Sequence, residues 1–263
     1  MLDLCGLTKK DLENVYTIKY GSPEDAGWRP KRRHKFGYYQ PSDIYETMIN
    51  KLVTSDTKWI DVGGGRAIFP DNVSLSEMLA TRCKKLVAVD PSDNVFEHHF
   101  ANEKFNSKIE YFETEEKFDL ITFRMVAEHI DNPQEVLRKL KSIIAVNGIV
   151  VIYTINRFSP IPIITWLTPF SLHFKVKKFF WGGEEKDTFP VAYKMNTRSE
   201  LLSLFSKNGF SEDEFGYLDD LSALSRFRLG GLVELVLWSL FVKLKIRYPE
   251  NNLLGIYKSE RVD

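Results

Sequence analysis

The sequence predicts an α/β fold built on a doubly wound, mostly parallel sheet, and three features predict it. Between residues 58 and 156, five short runs rich in Val and Ile alternate with helical stretches. Those runs are continuously apolar rather than alternating, as strands buried on both faces must be. Apolar residues make up 43% of the 263-residue chain, enough for a core on each side of such a sheet.

The elements follow in order. Residues 1–57 read as a helical arm; its "KRRHKFGYYQPSDIYETMI" (31–49) is a basic turn followed by a packed helix. "KWIDV" (58–62) is the first strand. "SLSEMLATRC" (74–83) is the next helix, with Ser74 and Glu77 in capping-box spacing. "KLVAVD" (85–90), "KIEYF" (108–112) and "FDLITF" (118–123) are strands two to four, with a short helix in "SDNVFEHHF". "PQEVLRKLKSIIAV" (133–146) is a helix with Asn132 as cap, Pro133 in its first turn, Glu135 in box position and Gly148 as stop. "IVVIYT" (149–154) is the fifth strand. Residues 157–190 are rich in Pro, aromatics and bases and read as an inserted lid over an apolar substrate. Thr197 caps "RSELLSLFSKN", with Glu200 in box position and Gly209 as stop. "FSEDEFGYL" and "NLLGIYKS" complete seven strands. An extra long helix, roughly 221–245, lies between them. It carries one apolar stripe through Leu229, Leu232, Val233, Val236, Leu237, Leu240, Phe241 and Leu244, and another through Leu235, Trp238 and Val242. A helix apolar on two faces is expected to be buried on both. Ordinary core burial is the first expectation; a dimer interface, or a membrane surface with Lys243, Lys245 and Arg247 at its edge, are the others. Residues 1–263 read as a single domain: arm, a 58–156 core, the 157–190 insertion, and 191–263 as terminal helices and strands.

Composition narrows the function. Lys plus Arg equals Asp plus Glu at 36 each, which predicts no nucleic-acid partner. Cys5 and Cys83 form neither a disulfide framework nor a metal-ligand spacing, so no metal and a reducing, cytoplasmic setting are expected. The N-terminus has acids where an export signal needs bases. Leu229 to Val242 contains Glu234 and falls short of the roughly 20 residues of a membrane span, so membrane contact is expected to be peripheral at most. Oligomeric state is left open.

The functional signal lies at the carboxyl ends of the strands, where parallel sheets bind ligands. Gly63, Gly64 and Gly65 follow the first strand, Asp90 ends the second, Arg124 follows the fourth and Asn156 the fifth. The glycines alone also suit an ordinary strand-to-helix turn. A dinucleotide fingerprint would need glycine at Ile68, and a phosphate cradle would end in Gly-Lys-Ser/Thr; neither is present. Asp61 beside the loop repels pyrophosphate and suits a cation, while Asp90 can accept two ribose hydroxyls. A ligand with a ribose and a cationic, amino-acid-like tail fits both, and S-adenosyl-L-methionine is such a molecule.

"WIDVGGGRA", "VAVDPS" and "FDLITFRMVAEHIDNPQEVLRKLKSIIAVNGIVVIYTIN" resemble the class I S-adenosylmethionine-dependent methyltransferases, and are most similar to the type-11 group that includes the quinone-biosynthesis enzymes. The resemblance covers Lys58 to Asn156, and "FPVAYKMNTRSELLSLFSKNGF" (189–210) extends it. It implies a seven-stranded Rossmann-like sheet, S-adenosyl-L-methionine as cofactor, and transfer to an oxygen, nitrogen or carbon acceptor. It implies that Asp61, Gly63, Gly64 and Gly65 meet the methionine part and Asp90 the ribose. Pro91, Ser92, Tyr111 and Phe112 would lie by the adenine, and Arg124 and Met125 at the amino-acid end. Ala67 stands where the family's loop carries another glycine. Tyr38 and Tyr39 are candidate contacts from the arm, to the cofactor's carboxylate or, by cation–π attraction, to its sulfonium. Glu128 and His129 lie near the expected methyl position; they are candidates for catalysis, or polar groups that support their loop. The lid and the long helix together suggest a small, hydrophobic or amphipathic substrate. Two further readings stand beside this one: a non-catalytic cofactor- or partner-binding module on the same fold, and a nicotinamide-dependent oxidoreductase, which Ile68 and Asp61 disfavour.

Overall fold

The computed structural model describes residues 6–159, 191–221, 224–225 and 227–260. Its sheet contains β1 (Lys58–Val62), β2 (Lys85–Asp90), β3 (Glu103–Asn106), β4 (Phe118–Arg124), β5 (Ile144–Ile155), β6 (Phe210–Asp219) and β7 (Glu250–Ser259), in the order β3-β2-β1-β4-β5-β7-β6. β1 to β5 are parallel; β7 runs antiparallel to both its neighbours, β5 and β6. The order reverses between β1 and β4, the switch point at which doubly wound sheets open a crevice.

Period-two alternation divides the strand residues between two cores. Trp59, Leu86, Leu120, Val151 and Tyr153 pack on one face. Residues of α1 (Lys9–Tyr20), α3 (Pro41–Leu52) and α4 (Val73–Arg82) cover it, among them Tyr16, Tyr45, Met48, Leu75 and Leu79. Ile60, Val62, Val87, Val89, Ile121, Phe123, Val150 and Ile152 pack on the other. Val136 and Leu140 of α5 (Pro133–Ile143) and Leu201 and Phe205 of α6 (Arg198–Lys207) cover that side. A buried ion cluster locks the N-terminal arm onto the first face. Lys19 Nζ lies 2.9 Å from Asp43 and 2.7 Å from Glu46, and Glu46 accepts a 2.8 Å bond from the Asn72 amide at the start of α4.

Several boundaries differ from expectation. α4 is capped by Asn72, whose side chain accepts from Leu75 N, so Ser74 lies inside the helix. The third strand is Glu103–Asn106; Ile109–Tyr111 form a 3-10 turn, and Ile109 and Phe112 are buried as plugs of the second core. α5 ends at Ile143, and β5 runs through Gly148. Asn132 precedes α5 without a side-chain capping bond, whereas Thr197 accepts from Glu200 N and Gly209 takes φ +75° as expected. The long helix, α7 (Arg228–Lys243), starts seven residues later than Leu221, and much of its first apolar stripe faces outward. The lid expected over 157–190 falls mostly on 160–190, outside the described residues.

Candidate functional site

Strand parity brings the polar residues together. Asp61 shares the first face with Trp59, and its register partner on β4 is Thr122; Arg124, two residues on, pairs with Tyr153 of β5. Tyr45 of α3 stacks on Tyr153, with ring centroids 5.1 Å apart. Trp59 Nε1 donates to Thr122 Oγ1 (2.8 Å), which donates to Asp61 Oδ1 (2.9 Å). This relay fixes one carboxylate oxygen. Asp61 Oδ2, Arg124 Nε and Tyr45 Oη are all buried without a hydrogen-bond partner. Burial pushes the Asp61 carboxyl up to about 7 against the opposing pull of the Thr122 hydroxyl and the Arg124 guanidinium. Burial, and then the Asp61 carboxylate, likewise raise the Tyr45 hydroxyl. Buried polar atoms are nearly always paired. Here an acceptor, a donor and a hydroxyl stand unpaired around one spot, which is the complement of an ammonium-and-carboxylate ligand.

The glycine loop is wedged between the two aspartates. Gly63 N donates to Val89 O (2.8 Å) and Gly65 N to Asp90 Oδ2 (3.0 Å). Gly63 and Gly65 take φ of +69° and +52°. A Cβ on Gly63 would lie 2.3 Å from Val126 Cγ2, and one on Gly64 2.3 Å from Asp61 Oδ2. At Gly65 an added Cβ would meet nothing within 4 Å, so beside Asp90 the backbone faces open space. Asp90 Oδ1 accepts from Ser92 N (2.7 Å), and both its oxygens keep lone pairs for further donors. Ser92 in turn caps the 3-10 turn Asp93–Glu97. Arg66 ties the loop to that turn through Glu97 (2.5 Å) and Asn94 (2.9 Å). Ile68 and Phe69 are buried in the first core, Phe69 edge-on to Tyr45. These residues fit S-adenosylmethionine: bare carboxylate for an ammonium, guanidinium for a carboxylate, Asp90 for ribose hydroxyls.

Other predicted residues have varied placements. Met125 bends the chain after β4 at φ +55°, with its N–H on Tyr153 O (2.8 Å). An unbranched side chain held there marks strain at the strand tip. Glu128 is buried and latched: Thr154 Oγ1 donates to it (2.8 Å), and the Asn196 amide donates to Thr154 (2.9 Å). Burial raises its carboxyl above the usual range. That network ties the turn after β4 to β5 and to the segment that leads into α6. His129 is half-buried beside it. Tyr38 is engaged elsewhere: its hydroxyl donates to Asp219 O (2.9 Å), accepts from Leu221 N (3.0 Å), and its ring meets Trp238. Tyr39 packs edge-on to Tyr16 inside the first core. Tyr111 is exposed in a surface hollow with Glu135 and Arg138, and Phe112 is buried against Phe105. Among the described residues no cluster of three or more His, Cys, Asp or Glu is placed to hold a metal ion. Sequence reasoning missed Tyr45, Thr122 and Tyr153. Thr122 carried a signal, being the one polar residue in the run "LITF" that follows Asp119.

A glycine loop set between two strand-tip acids where the strand order reverses marks the class I methyltransferase fold. A family profile described as a methyltransferase domain matches residues 31–213, and the chain belongs to that family. It is an S-adenosylmethionine-dependent methyltransferase. Similar solved structures include the N-methyltransferase NodS of Bradyrhizobium japonicum WM9 with S-adenosyl-L-homocysteine, at 14% identity, 95% of this chain, 100% of that one and TM-score 0.50. The methyltransferase chain bound to the Trm112 activator of Haloferax volcanii gives 12%, 90%, 96% and 0.54. The [4+2]-cyclase SpnF gives 10%, 84%, 82% and 0.51. At such identities the likeness is one of fold, and the cyclase shows that this fold serves more than one chemistry. A search of curated proteins finds no match.

Proposed function

We propose that the protein transfers the methyl group of S-adenosylmethionine to a small hydrophobic or amphipathic acceptor, with the cofactor seated on the loop between Asp61 and Asp90. The observation that carries this reading is the trio of buried, unpaired polar atoms on Asp61, Arg124 and Tyr45. When bound, the cofactor supplies an electrophilic methyl on a sulfonium. In our reading Asp61 Oδ2 takes the ammonium, Arg124 the carboxylate, and Asp90 the ribose hydroxyls. Gly63 and Gly64 let the backbone and Asp61 close up, and Gly65 presents its open side. Pro91 and Ser92 border the base, and Met125 the amino-acid end. The stacked rings of Tyr45 and Tyr153 exclude water beside the tail. The aromatic-rich 157–190 segment of the sequence supports an acceptor with apolar surface.

Methyl transfer depends first on in-line alignment, and a base is needed only where the acceptor begins protonated. His129 is the residue we assign to that proton. Glu128, held by Thr154 and Asn196, positions its turn. Titration calorimetry with S-adenosylmethionine, followed by turnover on a panel graded from polar to lipid-like acceptors, tests the reading. Asp90→Ala is expected to weaken cofactor binding by about tenfold or more, from the loss of charge-assisted bonds to the ribose. Unchanged affinity in Asp90→Ala, or methylation of polar metabolites alone, would overturn it. Binding without turnover would make the chain a sensor rather than an enzyme. Full turnover by His129→Ala would remove His129 from the chemistry.

A further inference from the structure

Among the described residues, α7 is anchored on one side only. Its inner side holds Leu235 and Glu234, both buried, and Trp238, whose indole donates to Asp219 Oδ2 (2.8 Å). Glu234 accepts from Leu224 N (3.1 Å). The outer side presents Leu229 (79% exposed), Val233, Val236, Leu237, Leu240 and Leu244 (66%), all exposed. Their spacing makes a single stripe along a helix of about 24 Å. From Arg228 to Arg247 the one acidic residue is Glu234, and it faces inward. Both ends of the stripe are basic. At the start, the guanidiniums of Arg228, Arg29 and Arg32 lie 5.3, 5.2 and 5.2 Å from the Trp28 ring centroid. Arg32 donates to Arg228 O (2.6 Å), which fastens α2 (Trp28–Lys35) to the start of α7. At the other end Lys243, Lys245 and Arg247 are exposed.

We propose that this face docks on an anionic lipid bilayer, with α7 lying in the plane of the interface. Its stripe would enter the headgroup–acyl boundary, and the two basic ends would meet lipid phosphates. The pattern is that of an interfacial helix: an apolar face, bases at its borders, and no acid toward the lipid. Among the described residues no helix is long and apolar enough to cross a membrane, so the helix lies on it. Charge selects the bilayer over a second copy of the chain. A two-fold dimer through this face would oppose base to base in either helix orientation, since both ends are positive. The proposal stands independently of the cofactor reading.

The test uses the full chain and sedimentation with two kinds of vesicle, phosphatidylcholine alone and the same lipid with one third replaced by phosphatidylglycerol. Binding to the mixed vesicles is expected to exceed that to neutral ones by about tenfold or more, at roughly 1 kcal/mol per base near the surface, and to weaken in high salt. Val233→Glu with Leu237→Glu should remove it, and Arg29→Gln with Arg228→Gln should weaken it about thirtyfold. The lipid and salt comparisons need no variant, so they stand even if a variant unfolds. No binding, equal binding to both vesicles, or binding indifferent to the stripe substitutions would overturn the proposal. So would a dimer in light scattering that Leu237→Glu dissociates without any lipid binding, which would assign the face to a second copy.

Discussion

One oxygen of Asp61 is fixed by Thr122 and the other is bare, and the site's chemistry follows from that asymmetry. Thr122→Val keeps the shape of the relay and removes its hydroxyl. It leaves Trp59 Nε1 buried without an acceptor and Asp61 without its one side-chain bond. The expected cost is about 1–3 kcal/mol in denaturant unfolding, with weaker cofactor binding in the same variant. A variant as stable as the parent would show that the relay carries nothing. The pH dependence has a definite sign. With its carboxyl up to about 7, Asp61 is largely protonated in the empty protein below that pH. A cationic ammonium needs the anion, so the Kd for S-adenosylmethionine should rise as pH falls below about 7, approaching tenfold per unit. Calorimetry in buffers of different ionisation heat should detect a proton released on binding near pH 6.5, on the order of half a unit or more. A Kd flat between about pH 8 and pH 5.5 would remove Asp61 from ammonium binding.

At the scale of elements, the N-terminal arm is held by charge as well as by packing. Lys19 is buried between Asp43 and Glu46 and joins α1 to α3. Lys19→Met fills similar space and strands two buried carboxylates, so a loss of about 3–5 kcal/mol is expected in unfolding at neutral pH. Because protonation relieves stranded carboxylates, the loss should shrink as pH falls; a loss constant with pH would show that packing, not charge, is responsible. The same scale shows what could be read from the sequence. β1, β2, β4 and β5 were legible because strands buried on two faces leave a continuous apolar signature, and their tips then located Asp61, Asp90 and Arg124. β3 was not, because "EKFN" is an edge strand with one neighbour and mostly polar side chains, while nearby Ile109 and Phe112 are apolar as core plugs in and beside a 3-10 turn. Tyr45 was hidden for a different reason. It lies on a helix sixteen residues before Asp61 and reaches the site only through the packing of α3 on the first face. α7 misled because hydrophobic periodicity reports that a face avoids water, not what it meets instead. Its outer stripe has the composition of a core and stands exposed.

For the molecule as a whole, two buried groups couple pH to folding with opposite signs. His98 is fully buried; its Nδ1 accepts from Phe100 N and Ala101 N, and burial pushes its pKa down to about 4. Its contribution to stability is complete above its unfolded value of 6.5 and is lost as pH falls toward 4, about 3 kcal/mol over that window. Asp61 works the other way. Its folded pKa is raised from 3.8 to about 7, so its contribution is complete below 3.8 and is lost as pH rises through 7, about 4 kcal/mol. Glu46 and Glu128, also raised by burial, add to the Asp61 side. Between about pH 7 and pH 4 the His98 loss and the Asp61 gain therefore oppose each other, and Asp61→Asn should expose the first by abolishing the second. Melting curves should show Asp61→Asn more stable than the parent at pH 8, with that advantage shrinking steadily toward pH 4. Saturating S-adenosylmethionine should steepen the parent's acid loss in the same way, since a ligand that holds Asp61 ionised removes its proton-linked gain. Parallel stability curves for parent and Asp61→Asn across the whole range would mean that Asp61 titrates alike in folded and unfolded chains, and the charge-poised cofactor seat would fall with it.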